Sequence, residues 1–220
     1  MRTVVFDLDG TLADTSADLL AAANGCFEGM GHGPLLGPGD ALTAFHGGRA
    51  MLRLGFSRLD AVWSEADVDR EYPRLLEVYA DVLDRETRLY PGAVQAVEAL
   101  RSAGYATAIC TNKPEGLAVE LVRRLGITHL FGALVGADTF PVRKPDPKPY
   151  IAAVERAGGV VARSILIGDT QTDRDTARAA GVPIVLVSFG PEGHGVARLA
   201  PDALLHHYAD LPALAESLIS

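Results

Sequence analysis

Short apolar runs, each followed by a longer stretch with apolar residues every three or four positions, set the rhythm of this chain. Thr3-Val4-Val5-Phe6 is β-branched and apolar in character, as a strand buried on both faces of a parallel sheet requires. Comparable runs are Ala106-Thr107-Ala108-Ile109-Cys110, Ala133-Leu134-Val135, Ser164-Ile165-Leu166-Ile167 and Ile184-Val185-Leu186-Val187. The intervening spacing predicts helices over Ala93–Ala103, Leu117–Leu125, Pro149–Ala157 and Asp173–Ala180. Gly104, Gly126, Gly158 and Gly181 stand where a C-terminal cap glycine belongs. Strand and helix alternating through short links predict an α/β fold, a doubly wound parallel sheet with helices on both faces.

Residues 15–85 break that alternation. Ser16–Glu28 reads as a helix with Ser16 as its N-cap, and Glu65–Arg85 as one or two more. Between them lies a Gly/Pro-rich segment, 29–39, and no convincing strand appears anywhere from 15 to 88. A wholly helical insert after the first strand predicts a small α-helical cap domain, 15–85, over a sheet-based core made of 1–14 and 86–220. No internal repeat or low-complexity tract interrupts either part.

Composition narrows the function classes. At 220 residues, 48% hydrophobic and 22% charged, the chain has the makings of one soluble core plus an accessory domain. Its longest apolar runs are strand-length, so no membrane association is expected, and the N-terminus lacks a signal-peptide pattern. Two cysteines, Cys26 and Cys110, make no disulfide framework, and Cys110 inside an apolar run reads as a buried thiol. These features predict a cytoplasmic protein. A net charge of −8 argues against nucleic acid as a partner. Lysine is scarce: only Lys113, Lys144 and Lys148 occur.

The candidate chemistry gathers where strands end. In an open α/β sheet, ligands bind beyond the carboxyl ends of the strands. Asp7-Leu8-Asp9-Gly10-Thr11 follows the first strand, so Asp7 ends it and Asp9 can point back at the same place. Adjacent carboxylates repel, and a bound cation or a substrate proton relieves them; an isolated Asp-Gly pair would be only a turn. Gly168-Asp169 follows another strand, and Asp173 falls in the first turn of the next helix. Asp173 is there either as a site residue or as a charge stabilised by the helix dipole. Carboxylates from two strand ends make an all-oxygen site, which suits Mg²⁺ better than zinc. Thr111-Asn112 ends a third strand, and its hydroxyl, amide and backbone N–H groups could hold phosphate oxygens or cap a helix. Lys144, in Arg143-Lys144-Pro145-Asp146-Pro147, reads as a positioned cation. The six histidines show no zinc-ligand spacing and read as structural or surface residues, His46 excepted.

Together, Asp7-Leu8-Asp9-Gly10-Thr11, Thr111-Asn112, Lys144 in Lys-Pro-Asp-Pro, and Gly168-Asp169 with Asp173 resemble, in order and spacing, the four motifs of the haloacid-dehalogenase-like hydrolases. The resemblance covers essentially the whole chain. It implies a Rossmann-like core with a helical cap inserted after the first motif, and Asp7 as a nucleophile attacking phosphorus. Asp9 would protonate the leaving alkoxide and then activate water. Thr111, Asn112 and Lys144 would bind the phosphoryl group. Asp7, the Asp9 backbone carbonyl and Asp169 would hold Mg²⁺, with Asp173 supporting.

Within that family, dehalogenases lack an aspartate at the place of Asp9, so the resemblance implies phosphoryl chemistry. Phosphonate-cleaving members use a cap lysine, and residues 15–85 contain none. A phosphatase or a sugar phosphomutase remains, with a non-catalytic binding protein as the alternative of a different class. Thr111-Asn112-Lys113-Pro114, Phe131-Gly132 leading to Gly136-Ala137-Asp138, and Ser188-Phe189-Gly190 followed by Gly193-His194-Gly195 resemble the members that hydrolyse phosphoglycolate. Phe45-His46-Gly47-Gly48-Arg49 resembles their glycine-bearing cap loop but departs from its usual sequence. The implied partner is a small anionic phosphate ester, 2-phosphoglycolate foremost. Arg49 is then a candidate for a substrate carboxylate, since arginine suits bidentate recognition, or it caps or solvates a cap helix. His46 is a further candidate contact. A monomer or homodimer is expected.

Overall fold

The computed structural model describes residues 1–219. In chain order the elements are β1 (Thr3–Phe6), β2 (Ala13–Asp14), α1 (Ser16–Gly29), α2 (Ala41–Ala44), α3 (Gly48–Phe56), α4 (Glu65–Val82) and β3 (Arg88–Leu89). Then come α5 (Ala93–Ser102), β4 (Ala106–Cys110), α6 (Glu115–Arg124), β5 (Ala133–Val135) and α7 (Pro147–Arg156). The chain finishes with β6 (Ser164–Gly168), α8 (Gln171–Ala180), β7 (Ile184–Val187), β8 (Ala203–Leu205) and α9 (Leu211–Leu218). It divides into two compact units, one of Met1–Asp14 with the chain from Leu89 on, the other Thr15–Arg88.

In the first unit six strands form one sheet in the order β5-β4-β1-β6-β7-β8, all paired in parallel. Every residue of β1, β4, β6 and β7 is buried, which explains why their sequences run apolar instead of alternating. On one face Val5, Ala108, Cys110, Leu166 and Leu186 pack with Tyr150, Ala153 and Val154 of α7 and Ala177 of α8. Register then decides where the site falls. Phe6 lies level with Ile109 of β4 and Ile167 of β6, so the residues that follow β1, β4 and β6 emerge together at one edge. The strand order also reverses beside β1, with β4 and β5 on one side and β6 to β8 on the other. That is the switch point at which such sheets bind ligands.

Helices α6, α7 and α8 each begin two residues before their expected starts. Their first turns are polar or proline-bearing, so apolar periodicity cannot register them. The four predicted cap glycines all have positive φ, from 70° at Gly181 to 82° at Gly104 and Gly158. β8 escaped the sequence reading because three residues at a sheet edge carry little pattern.

The second unit is helical. α1 packs against α3 and α4, with Phe27 edge-on to Phe56 at 5.4 Å and Phe56 stacked on Trp63 at 5.9 Å. Three details differ from expectation. Thr15, not Ser16, holds the N-cap position of α1, and Ser16 is already helical. The expected stretch from Glu65 is a single helix, one of the two arrangements its pattern allowed, but it ends at Val82 and not at Arg85 and accommodates Pro73. Most substantially, the Gly47-Gly48-Arg49 segment read as a loop opens helix α3, whose Met51, Leu52, Gly55 and Phe56 are buried. A β-carbon at Gly55 would lie 2.1 Å from the Phe27 ring, so that glycine marks a close helix crossing and not a break. The buried Asp18 carboxylate of α1 accepts from the backbone N–H groups of Glu86 (3.0 Å) and Thr87 (2.9 Å) and from the Thr87 hydroxyl (2.8 Å). No helix among the described residues is long and apolar enough to cross a membrane.

Candidate active site

Asp7 continues the β1 ladder by one bond, its N–H donating to the Ile167 carbonyl at 2.9 Å. The chain then turns sharply. Gly10 adopts φ 77°, and Leu12 and Ala13 both donate back to the Leu8 carbonyl. The Tyr208 hydroxyl ties this loop down by donating to the Thr11 carbonyl at 2.7 Å. Asp7 and Asp9 are thereby fixed on a rigid strand end.

Lys144 is almost completely buried, and its Nζ lies 3.0 Å from Asp7 Oδ2 and 2.6 Å from Asp173 Oδ1. Its chain neighbour across the edge is Asn112, whose Nδ2 donates to the Lys144 carbonyl at 3.0 Å. Thr111 is buried, and its hydroxyl accepts from the Lys113 N–H at 3.2 Å. Thus Asp7, Asp173 and Lys144 meet directly, while Thr111 and Asn112 border them.

Asp173 caps its helix and reaches the carboxylate cluster with the same side chain. Its Oδ2 accepts from the N–H and hydroxyl of Thr170, closing a capping box on α8, while Oδ1 takes Lys144. Gly168 makes this approach feasible: a β-carbon there would come within 2.4 Å of the Asp173 side chain. Asp169 follows β6 and accepts from the Thr11 hydroxyl at 2.8 Å, a partner the sequence reading did not single out. Carboxylate oxygens of Asp7, Asp169 and Asp173 lie within 4.8 Å of one another, all buried, which is a donor set fit for a hard cation.

The electrostatics agree with that fit. Burial raises Asp7 to about 6, opposed by Lys144 and reinforced by Asp173 and Asp9. Burial, then Asp173 and Asp7, push Asp169 well above the usual carboxylate range, against Thr11 and Lys144. At Asp173 burial also acts upward, but Lys144 and Thr170 outweigh it and hold the group below its ordinary value. Lys144 in turn is raised by Asp173 and Asp7 against its own burial.

Lys144, the one lysine that the sequence singled out as a positioned cation, is not alone at this edge. Lys113 is also buried, and its Nζ lies 2.8 Å from Asp9 Oδ1. Its signal was in the sequence, one of three lysines and three residues beyond a strand's end. Asp9 is therefore paired through its side chain with Lys113 and stands outside the three-carboxylate cluster. Four carboxylates face two ammonium groups, so full ionisation would leave two negative charges, which a single divalent cation balances.

Arg49 and His46 belong to the helical unit. Arg49, in the first turn of α3, ion-pairs with Asp69, and its guanidinium lies 4.5 Å from the Tyr72 ring centre. His46 is exposed just before that helix. His194, His206 and His207 are exposed as well, with His206 Nδ1 sharing a hydrogen bond with the Ser188 hydroxyl at 2.7 Å.

Fold and site define a doubly wound α/β protein with an oxygen-rich, charge-compensated centre at its strand ends. The chain belongs to the haloacid dehalogenase-like hydrolase family, whose model matches residues 4–187. It is 40% identical over 217 residues to a phosphoglycolate phosphatase of Agrobacterium fabrum, covering 98% of this chain and 93% of that one. Among solved structures it is similar to a predicted phosphoglycolate phosphatase from Haemophilus somnus, with 25% identity, a TM-score of 0.81 and 97% of both chains covered. A provisionally named β-phosphoglucomutase from Thermotoga maritima aligns at 26% identity and a TM-score of 0.76, covering 99% of this chain and 100% of that one.

Proposed function

We propose that this phosphoric monoester hydrolase acts on a small anionic ester, 2-phosphoglycolate foremost, with Mg²⁺ and through an aspartyl-phosphate on Asp7. The observation that carries the reading is the Asp7 carboxylate, fixed at the β1 end and held by Lys144 at 3.0 Å. Asp7 attacks phosphorus, the bond from phosphorus to the alkoxide breaks, and Asp9 gives the alkoxide its proton. Asp9 then takes a proton from water, which attacks the same phosphorus and releases inorganic phosphate and free Asp7. A carboxylate nucleophile thus replaces one hard displacement by two easier ones. Lys144 lowers the repulsion between an anionic nucleophile and an anionic phosphate, and Thr111 and Asn112 bind the transferring group.

Asp7, Asp169 and the Asp9 backbone carbonyl would hold Mg²⁺. Asp173 would support them, because its two oxygens already serve Lys144 and Thr170. When bound, the ion supplies charge neutralisation for the phosphoryl oxygens. The charge balance at the site and the raised Asp7 and Asp169 favour a divalent cation there. The named relatives support phosphoglycolate as substrate, and two buried free thiols suit a reducing, cytoplasmic setting.

A panel of phosphate monoesters with and without Mg²⁺ tests the reading. It predicts Mg²⁺-dependent release of inorganic phosphate, fastest from 2-phosphoglycolate. Isomer formation from a hexose 1-phosphate without phosphate release would make the enzyme a mutase instead.

A further inference from the structure

The reaction as proposed uses Lys144 but gives Lys113 nothing to do, although burying an ammonium carries a large desolvation penalty. A side chain that merely filled this space would be apolar. Lys113 is 2% exposed, whereas the Asp9 side chain it meets is 18% exposed. Its backbone is anchored from both sides, with Lys113 N–H donating to the Thr111 hydroxyl and Ala137 N–H donating to the Lys113 carbonyl at 2.9 Å. Thr111 itself is held by β5, its N–H donating to the Val135 carbonyl at 2.9 Å. A rigid chain from β5 through β4 therefore ends in an ammonium aimed at Asp9.

We infer that Lys113 is a positioning residue for proton transfer: it holds the Asp9 carboxyl in the rotamer from which the leaving alkoxide is protonated. The two lysines divide the work, Lys144 serving the nucleophile and Lys113 the acid. This rests on the role proposed for Asp9. It makes a specific demand, because an acid matters for a poor leaving group and hardly at all for a good one. An alkyl ester such as 2-phosphoglycolate must have its alkoxide protonated, whereas p-nitrophenyl phosphate leaves as a stable phenolate.

The test is single-turnover release of the leaving group from both esters, in Lys113→Met, Lys113→Gln and Asp9→Asn, with thermal melting to confirm folding. Positioned acids contribute roughly 10²–10⁴-fold. Both lysine variants are therefore expected to release glycolate about 10²-fold more slowly, and nitrophenolate no more than about threefold more slowly. Inhibition by inorganic phosphate should stay close to that of the parent enzyme. Equal losses on the two esters, no loss on either, or weakened phosphate inhibition would each overturn the inference. Asp9→Asn separates its failure from that of the underlying mechanism. If Asp9→Asn discriminates between the esters and the lysine variants do not, Lys113 is not the positioning residue. If Asp9→Asn fails to discriminate, the acid role of Asp9 is wrong.

Discussion

Lys144 sits between Asp7 and Asp173 with its own side chain 1% exposed, so three ionisable groups meet in one buried site. Removing one member of such a set leaves charge without compensation, which costs about 3–5 kcal/mol. Lys144→Met is expected to lose stability of that order in urea unfolding and at least about 10²-fold in kcat, since donors aimed at developing charge supply that much. An active, fully stable Lys144→Met would contradict the arrangement. Arg49 is a different kind of residue. Its pair with Asp69 is partly exposed, with side chains 37% and 64% accessible, so it is weakly held and can exchange one carboxylate for another. A role for Arg49 at a substrate carboxylate, as its residue type suggests, predicts that Arg49→Ala raises KM for 2-phosphoglycolate about tenfold, the worth of roughly one charged contact, and leaves a carboxylate-free ester unaffected. Equal effects on the two esters would remove Arg49 from substrate recognition. At this scale the sequence was informative where chemistry needs unusual residues. The Asp7, Asp9, Asp169 and Lys144 signals were strong because carboxylates and a scarce lysine follow apolar runs. Thr11 and Lys113 went unassigned because their partners, Asp169 and Asp9, are more than 100 positions away in the chain.

The elements were legible in proportion to their burial. β1, β4, β6 and β7 are buried throughout and read as apolar runs, whereas β8 is three residues long and only partly buried. α3 was hidden by its opening glycines, although its buried Met51, Leu52, Gly55 and Phe56 keep helical spacing. Asp18 shows what spacing cannot reveal. It looks like an ordinary first-turn acid of α1, yet it is buried and binds the chain at Glu86 and Thr87, 68 and 69 residues away. Asp18→Ala strands the buried Thr87 N–H, and a buried group left unpaired costs about 1–3 kcal/mol, while the part-buried Glu86 N–H loses its partner at smaller cost. A total loss of about 3 kcal/mol is expected in urea unfolding, with Thr87→Val losing about 1 kcal/mol because only the hydroxyl contact goes. Equal stability of Asp18→Ala and the parent would show that the clasp is not formed in solution.

For the whole molecule, the sheet order places β1 at the switch point and so gathers residues from three stretches of sequence at one edge. Strand order is not visible in local pattern, but the alternation of strand and helix constrains it, and that is why the fold class was readable from the sequence. The net charge of −8 gave only the sign of the surface. That the site would carry two excess negative charges if fully ionised emerges only when the two lysines are counted against the four aspartates. A ligand that binds only the native state stabilises it by mass action, about 2.7 kcal/mol at a hundredfold excess over Kd. Mg²⁺ should therefore raise the melting temperature of the parent and leave Asp169→Asn unshifted. An equal shift in both would place the ion elsewhere.

The central claim is a covalent phosphoryl group on Asp7. Asp9→Asn, which should slow hydrolysis of the intermediate, is mixed with Mg²⁺ and p-nitrophenyl phosphate, quenched in acid and treated with borohydride. Peptide mass spectrometry then locates the reduced acyl phosphate. The account predicts homoserine at position 7, appearing in step with the first turnover of nitrophenolate. Nitrophenolate release with Asp7 unmodified throughout would contradict it.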